Sequence, residues 1–140
     1  MKTCRTLIPF VLLTSLGLVA QSPNHPPMRA SIPFAFSVQD QLLPAGDYLI
    51  HSGKTERAIR IVSADGKHTA VVNTVINSAN SRSVNSRLVF QKYGNEYFLA
   101  EVWCRDDDFG RNPIAEKRQK TLAQIGGPAK TDIVLAYAGH

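Results

Sequence analysis

The sequence predicts an all-β protein: a small antiparallel β-sandwich or partly closed barrel of about seven strands, with one short C-terminal helix. Three observations carry this expectation. Short apolar runs alternate with polar residues at a period of two, the repeat of a half-buried strand. Turn signals such as Asp65-Gly66 and Gly94-Asn95 separate those runs at short spacing. A chain of 140 residues, 44% hydrophobic and 19% charged, holds one core of its own and no room for a second large domain. Periodicity does not choose between sandwich and barrel.

The amino terminus is set apart from this pattern. Lys2 and Arg5 precede an apolar run over residues 7–20, after which the text turns polar and Pro-rich. Residues 1–20 read as a secretory signal peptide with cleavage after Ala20, residues 21–27 as an extended Pro-rich linker, and residues 28–140 as a single β domain. The apolar run is shorter than the roughly 20 residues a helix needs to cross a bilayer, and no second such run follows, so the mature chain is expected to have no membrane span. Export to the periplasm or the exterior is the localisation expected. Cys4 lies inside the leader and not after it, where a lipid-bearing cysteine would sit. Cleavage leaves Cys104 alone, without a partner for an intramolecular disulfide. Loss of Lys2 and Arg5 lowers the formal charge from +5 to +3. The remaining basic residues are scattered among Asp and Glu, which argues against nucleic acid as a partner.

Along the domain, Ile32, Phe34, Phe36 and Val38 share one face of a first strand, with Pro33 suggesting an edge position open to strand addition by a partner. Leu43-Pro44-Ala45-Gly46-Asp47 makes a turn into a second strand over residues 48–52. Residues 58–63 and 68–76 flank Asp65-Gly66 and should pair as a hairpin. Residues 77–86 are small and polar without periodicity, and read as a long exposed loop or a mobile flap. A second hairpin joins residues 87–93 to 96–104; its second arm is apolar on both faces and is expected to be central. Residues 105–111 read as a charged loop. Asn112-Pro113 looks like an N-cap and first helical residue, opening a helix to about Ile125 with Ile114, Leu122 and Ile125 as apolar contacts. Gly126-Gly127-Pro128 ends it, and residues 132–137 form a last strand that closes the sheet.

The chemistry-bearing residues do not assemble into a motif. His25, His51, His68 and His140 are far apart and lack metal-ligand spacing. Asp106-Asp107-Asp108 is contiguous, whereas calcium loops alternate their ligands around a glycine. No serine lies in a nucleophile elbow, and Gly126-Gly127 follows a helix instead of presenting its amino terminus to a phosphate. No catalytic residue, metal ligand or cofactor site is therefore assigned, and the chain is expected not to be an enzyme. Cys104, directly after Trp103, reads as a small buried hydrophobe.

The aromatic residues suggest one alternative. Core packing is their ordinary role, but inward rings at a barrel mouth also line sites for apolar ligands. Phe34, Phe36, Phe90, Phe98 and Trp103 are the candidate ligand-binding residues on that view.

The segments Ile32-Pro33-Phe34-Ala35-Phe36-Ser37-Val38 and Leu43-Pro44-Ala45-Gly46-Asp47-Tyr48-Leu49-Ile50 resemble a group of small exported proteins abundant in acidobacteria, which share a Pro-Phe-x-Phe strand and a Leu-Pro-Ala-Gly-x-Tyr turn. The likeness continues through Asp65-Gly66-Lys67, Leu88-Val89-Phe90, Tyr93-Gly94-Asn95-Glu96-Tyr97 and Glu116-Lys117-Arg118, and so spans most of residues 30–125. It implies an exported bacterial β domain and carries no activity, ligand or site residue with it. The segment after Gly126 departs from the group. Taken together, the expected function is a non-enzymatic interaction or structural module in the envelope or outside the cell, binding a protein or envelope partner. The alternative is a carrier of a small apolar ligand in a barrel-like cavity.

Overall fold

The computed structural model describes residues 26–53, 57–78, 83–105 and 107–138. The signal peptide assigned to residues 1–20 and most of the linker lie outside the described residues, as does Asp106. Among these described residues, ten strands and one helix follow in order: β1 Met28–Ile32, β2 Phe36–Val38, β3 Gln41–Leu43, β4 Gly46–Ser52, β5 Ala58–Ser63, β6 Thr69–Ser78, β7 Arg87–Tyr93, β8 Glu96–Trp103, β9 Phe109–Pro113, α1 Lys117–Gly126 and β10 Lys130–Ala138.

Eight of the strands close a barrel. Around the ring they run β1, β4, β5, β6, β9, β8, β7, β10 and back to β1, every neighbour antiparallel. Closure removes the sheet edges that an open sandwich leaves. The two remaining strands form a short hairpin beside β8: β2 adds parallel to β8 at Ser37 and Phe98, β3 pairs with β2, and Phe36, Val38 and Leu43 of the hairpin are buried in the core. Both predicted hairpins are present, β5 with β6 and β7 with β8, and β10 is the strand that shuts the ring between β7 and β1.

Several expectations are corrected. The strand expected over residues 32–38 is two strands, because Pro33 lacks the N–H that would continue the ladder, and the chain turns there to start β2. β1 is consequently no edge: β10 and β4 flank it, and strand addition at Pro33 has no free ladder to join. The expected charged loop at residues 105–111 contains the start of β9, which bridges β6 and β8. Asn112 and Pro113 end that strand instead of opening the helix. The helix starts at Lys117 with Glu116 as its cap residue, and it buries none of its side chains. Ile114 and Ile125 are exposed, so they are not the core contacts expected of them. The helix does end as expected, with Gly127 at a left-handed φ of 73°.

The core is the barrel interior. Met28, Ala30 and Ile32 alternate inward along β1, and Tyr48, Ile50, Ile59, Ile61, Ala70, Val72, Leu88 and Phe90 continue the same inward row around the ring. Tyr48 is anchored at its polar end: its hydroxyl donates to the carbonyl of Pro44 at 2.5 Å, which pins the Leu-Pro-Ala-Gly turn to the strand that follows it. In β8 the alternation is broken by a bulge. Val89 faces Glu101 while the next residue, Phe90, faces Leu99, leaving Ala100 as the extra residue. Tyr97 and Leu99 point inward before the bulge, Val102 and Cys104 after it, and Phe98 and Trp103 fall on the outer face.

Candidate functional site

Three regions gather polar or exposed apolar groups. The first is the barrel end that carries the β7–β8 turn. Phe34, in the connection between β1 and β2, stacks on Tyr97 with centroids 3.7 Å apart and meets Phe90 edge-on at 5.0 Å. The ammonium of Lys92 sits 4.9 Å from the Tyr97 centroid. Phe34, Tyr97 and Lys92 thus cap the apolar interior with a layered stack whose outermost member is charged. Lys92 is also the direct cross-strand partner of Lys130 on β10. Beside this stack, helix α1 rides over the hairpin and leaves a cleft of about 820 Å³, walled by Leu122, Ile125 and Pro128 on one side and by Lys92, Tyr93 and Lys130 on the other. The helix is held at its outer side by polar contacts. Arg118 grips Glu96 with two hydrogen bonds, that from Nε measuring 2.6 Å, and Gln119 donates to Gln91 at 3.0 Å. The guanidinium holds the Glu96 carboxyl below the usual carboxylate range.

The second region is the outer face of β10. Ile133, Leu135 and Tyr137 point away from the core and are 59%, 51% and 69% exposed, although the interior is complete without them. Their cross-strand neighbours are Val89, Arg87 and Arg29 respectively. A depression of about 200 Å³, lined by Asn85, Ser86, Arg105, Leu135 and Tyr137, lies at the lower end of the stripe. The stripe is therefore apolar along its length and bordered by arginines.

The third region is a polar centre at the barrel end opposite the β7–β8 turn. Arg111, fully buried on β9, donates to the carbonyl of Gly53 at 2.6 Å, pairs with Asp107 at 3.4 Å and lies 3.8 Å from the Cys104 sulfur. Ser52 and Cys104 are 3.3 Å apart. Burial pushes the Cys104 thiol up, more than Ser52 and Arg111 pull it down, which favours the protonated thiol over the thiolate. Arg111 spans the end of the barrel as a strut, joining β9 to the end of β4 and to the loop after β8.

The five aromatic candidates do not line one space. Phe36 and Phe90 meet at 5.4 Å within the packed core, Phe36 also meeting Tyr48 at 5.3 Å. Phe34 belongs to the cap above them. Phe98 lies on the outer face near Tyr93, with centroids 6.0 Å apart. Trp103, also outside, donates its indole N–H to Glu101 at 2.7 Å and carries the Arg87 guanidinium over its ring at 5.0 Å. Ordinary alternation turns Phe98 away from Phe90, whereas Trp103, five residues on, shares the outer face with Phe98 only because of the Ala100 bulge, which an even period of two could not reveal. Lys92, Lys130 and the exposed stripe on β10 were not singled out in the sequence, since cross-strand proximity has no local signature.

Among the described residues, no group of three or more His, Cys, Asp and Glu side chains is placed to hold a metal ion. Among the same residues, no helix is long and apolar enough to cross a membrane. No protein-family model matches the chain, no curated protein is similar to it, and no solved structure matches its fold.

Proposed function

We propose that the protein is an exported, non-enzymatic β-barrel that acts by binding a partner in the cell envelope or outside the cell. One observation carries this reading: Ile133, Leu135 and Tyr137 make an exposed apolar stripe on a barrel whose core does not use them. Isolated exposed apolar residues are ordinary, whereas a row of three along one strand with an arginine border is the composition of an interaction surface. The buried protonated thiol and the structural use of Arg111 leave the polar centre without an activated group, which favours binding over catalysis. The carrier reading has less support, since Phe36 and Phe90 fill the interior where an apolar ligand would sit.

The test is site-specific photocrosslinking in the producing cell. A photoreactive residue replacing Leu135 or Tyr137 should yield a defined adduct, while the same residue replacing Lys67 in the β5–β6 turn should not. Adduct formation should disappear when Ile133→Glu is added. Equal yields from position 67 and from the stripe would refute the assignment of the surface.

A further inference from the structure

The cleft between α1 and the β7–β8 hairpin carries an unbalanced charge that the fold does not require. Lys92 and Lys130 stand directly opposite each other on β7 and β10, an arrangement of like charges that weakens a sheet. Neither has a carboxylate partner among the described residues. The one carboxylate lining the cleft, Glu96, is already neutralised by Arg118. Asp132, next on the same side of β10, stands opposite Phe90 and forms no ion pair with either lysine. Lys92 is held over the Tyr97 ring, so its ammonium is positioned before anything binds.

The facing wall has the opposite character. Leu122, Ile125 and Pro128 border the cleft, and Ile125 is 78% exposed on a helix with no fully buried side chain. A cleft of about 820 Å³ lies within the range of small-molecule sites, which are mostly apolar with a few placed polar groups.

The geometry points to a binding site for a single-chain anionic amphiphile, its carboxylate or phosphate head between Lys92 and Lys130 and its alkyl chain along Leu122, Ile125 and Pro128. The head supplies the negative charge that the lysine pair lacks, and the chain covers the apolar wall of α1. The site lies at the barrel end away from Tyr137 and is independent of the partner-binding surface on β10. It also differs from a ligand inside the barrel, because none of the residues lining the cleft belongs to the core.

Titration calorimetry on protein produced from the full 140-residue sequence and stripped of lipid tests this, with dodecanoate, dodecyl phosphate and dodecanol as probes below their aggregation limits, and acetate and inorganic phosphate as head-group controls. At least one of the two charged amphiphiles should bind, and whichever binds more tightly identifies the head. Dodecanol should bind at least about tenfold more weakly, and acetate and inorganic phosphate should give no saturable heat. Lys92→Gln with Lys130→Gln should weaken the charged amphiphile at least about tenfold, leave dodecanol unchanged, and leave the melting temperature unchanged or raised. Ile125→Asn, on the exposed helix face, should weaken all three chains. Equal affinity for dodecanol and the charged amphiphiles, undiminished binding by the double lysine variant, or binding of inorganic phosphate as tight as that of dodecyl phosphate would each overturn the assignment.

Discussion

The Ser37 hydroxyl donates to the carboxylate of Glu116, lying 3.0 Å from Oε2 and 3.2 Å from Oε1, and ties the residue before α1 to the β2–β3 hairpin. The same carboxylate accepts the backbone N–H groups of Gln39 and Asp40. Those two residues form the β2–β3 turn at φ of 48° and 63°, a region that residues other than glycine occupy at a cost. Glu116 therefore sits in the concave side of a strained turn, with its carboxyl accepting from the turn's amides.

Burial pushes the Glu116 carboxyl above its ordinary value, more than its hydrogen bonds pull it down. A carboxyl with a raised value binds more protons folded than unfolded, so its contribution to stability is greatest at low pH and falls as pH rises through the window between the unfolded and folded values. Urea midpoints of the parent minus those of Glu116→Gln should therefore decline across that window. Asp65 and Glu96 are lowered, by Ser63 and Arg118 respectively, and act with the opposite sign: their contributions are lost as pH falls through their depressed values. Taking the difference against the Gln variant cancels them. A difference independent of pH would show that Glu116 titrates as it does in the unfolded chain.

Gly110 and Trp103 are cross-strand partners on β9 and β8, and a β-carbon at position 110 would come within 2.7 Å of the indole ring. Gly110→Ala should destabilise the barrel by about 1–3 kcal/mol in denaturant unfolding, the usual cost of overpacking. Combining it with Trp103→Leu should cost less than the two single changes added together, because the clash is then absent.

Tyr48→Phe removes the donor to the Pro44 carbonyl while keeping the ring in the core. The expected loss is about 1 kcal/mol, with the carbonyl left short of a partner. Pro44→Ala keeps that hydrogen bond, and should cost less than Tyr48→Phe if the tether outweighs the stiffness of the proline.

Helix α1 has no buried side chain, and its contacts with Glu96 and Gln91 are at the surface. Its amides should exchange with solvent through local opening, well before those of β4, β5 or β7. Glu96→Gln should speed that exchange in α1 without shifting the melting temperature of the barrel. Slowing of the same amides by dodecanoate would report ligand held against the helix.

The parts of this fold that were legible are those whose cause is local. Asp65-Gly66 and Gly94-Asn95 mark hairpins because their turn chemistry is contained in two residues. Residues 132–137 read as a strand from their β-branched and apolar content. β9 was illegible for the converse reason: Phe109–Pro113 has no alternation, and it is a strand because β6 and β8 offer it ladders on either side. The Asn112-Pro113 pair carries the local features of a helix start, but those residues are committed to pairing with Val75 and Thr74, and the helix waits until Glu116 meets Ser37. Lys92 and Lys130, distant in sequence and adjacent in space, belong to the same class. So does the Ala100 bulge, which puts Trp103 on the same outer face as Phe98.

Because β10 is inserted between β7 and β1, the strand nearest the carboxyl terminus completes a wall begun by the strand nearest the amino terminus. During synthesis the first seven strands of the ring can form no more than an open sheet, with the flanks of β1 and β7 unsatisfied until residue 138 has emerged. The closing step brings together the most distant parts of the chain, which makes it slow relative to the hairpins. Until it occurs, two ladders are open to pairing with another copy, so the unclosed sheet is exposed to association for longer than its hairpins are.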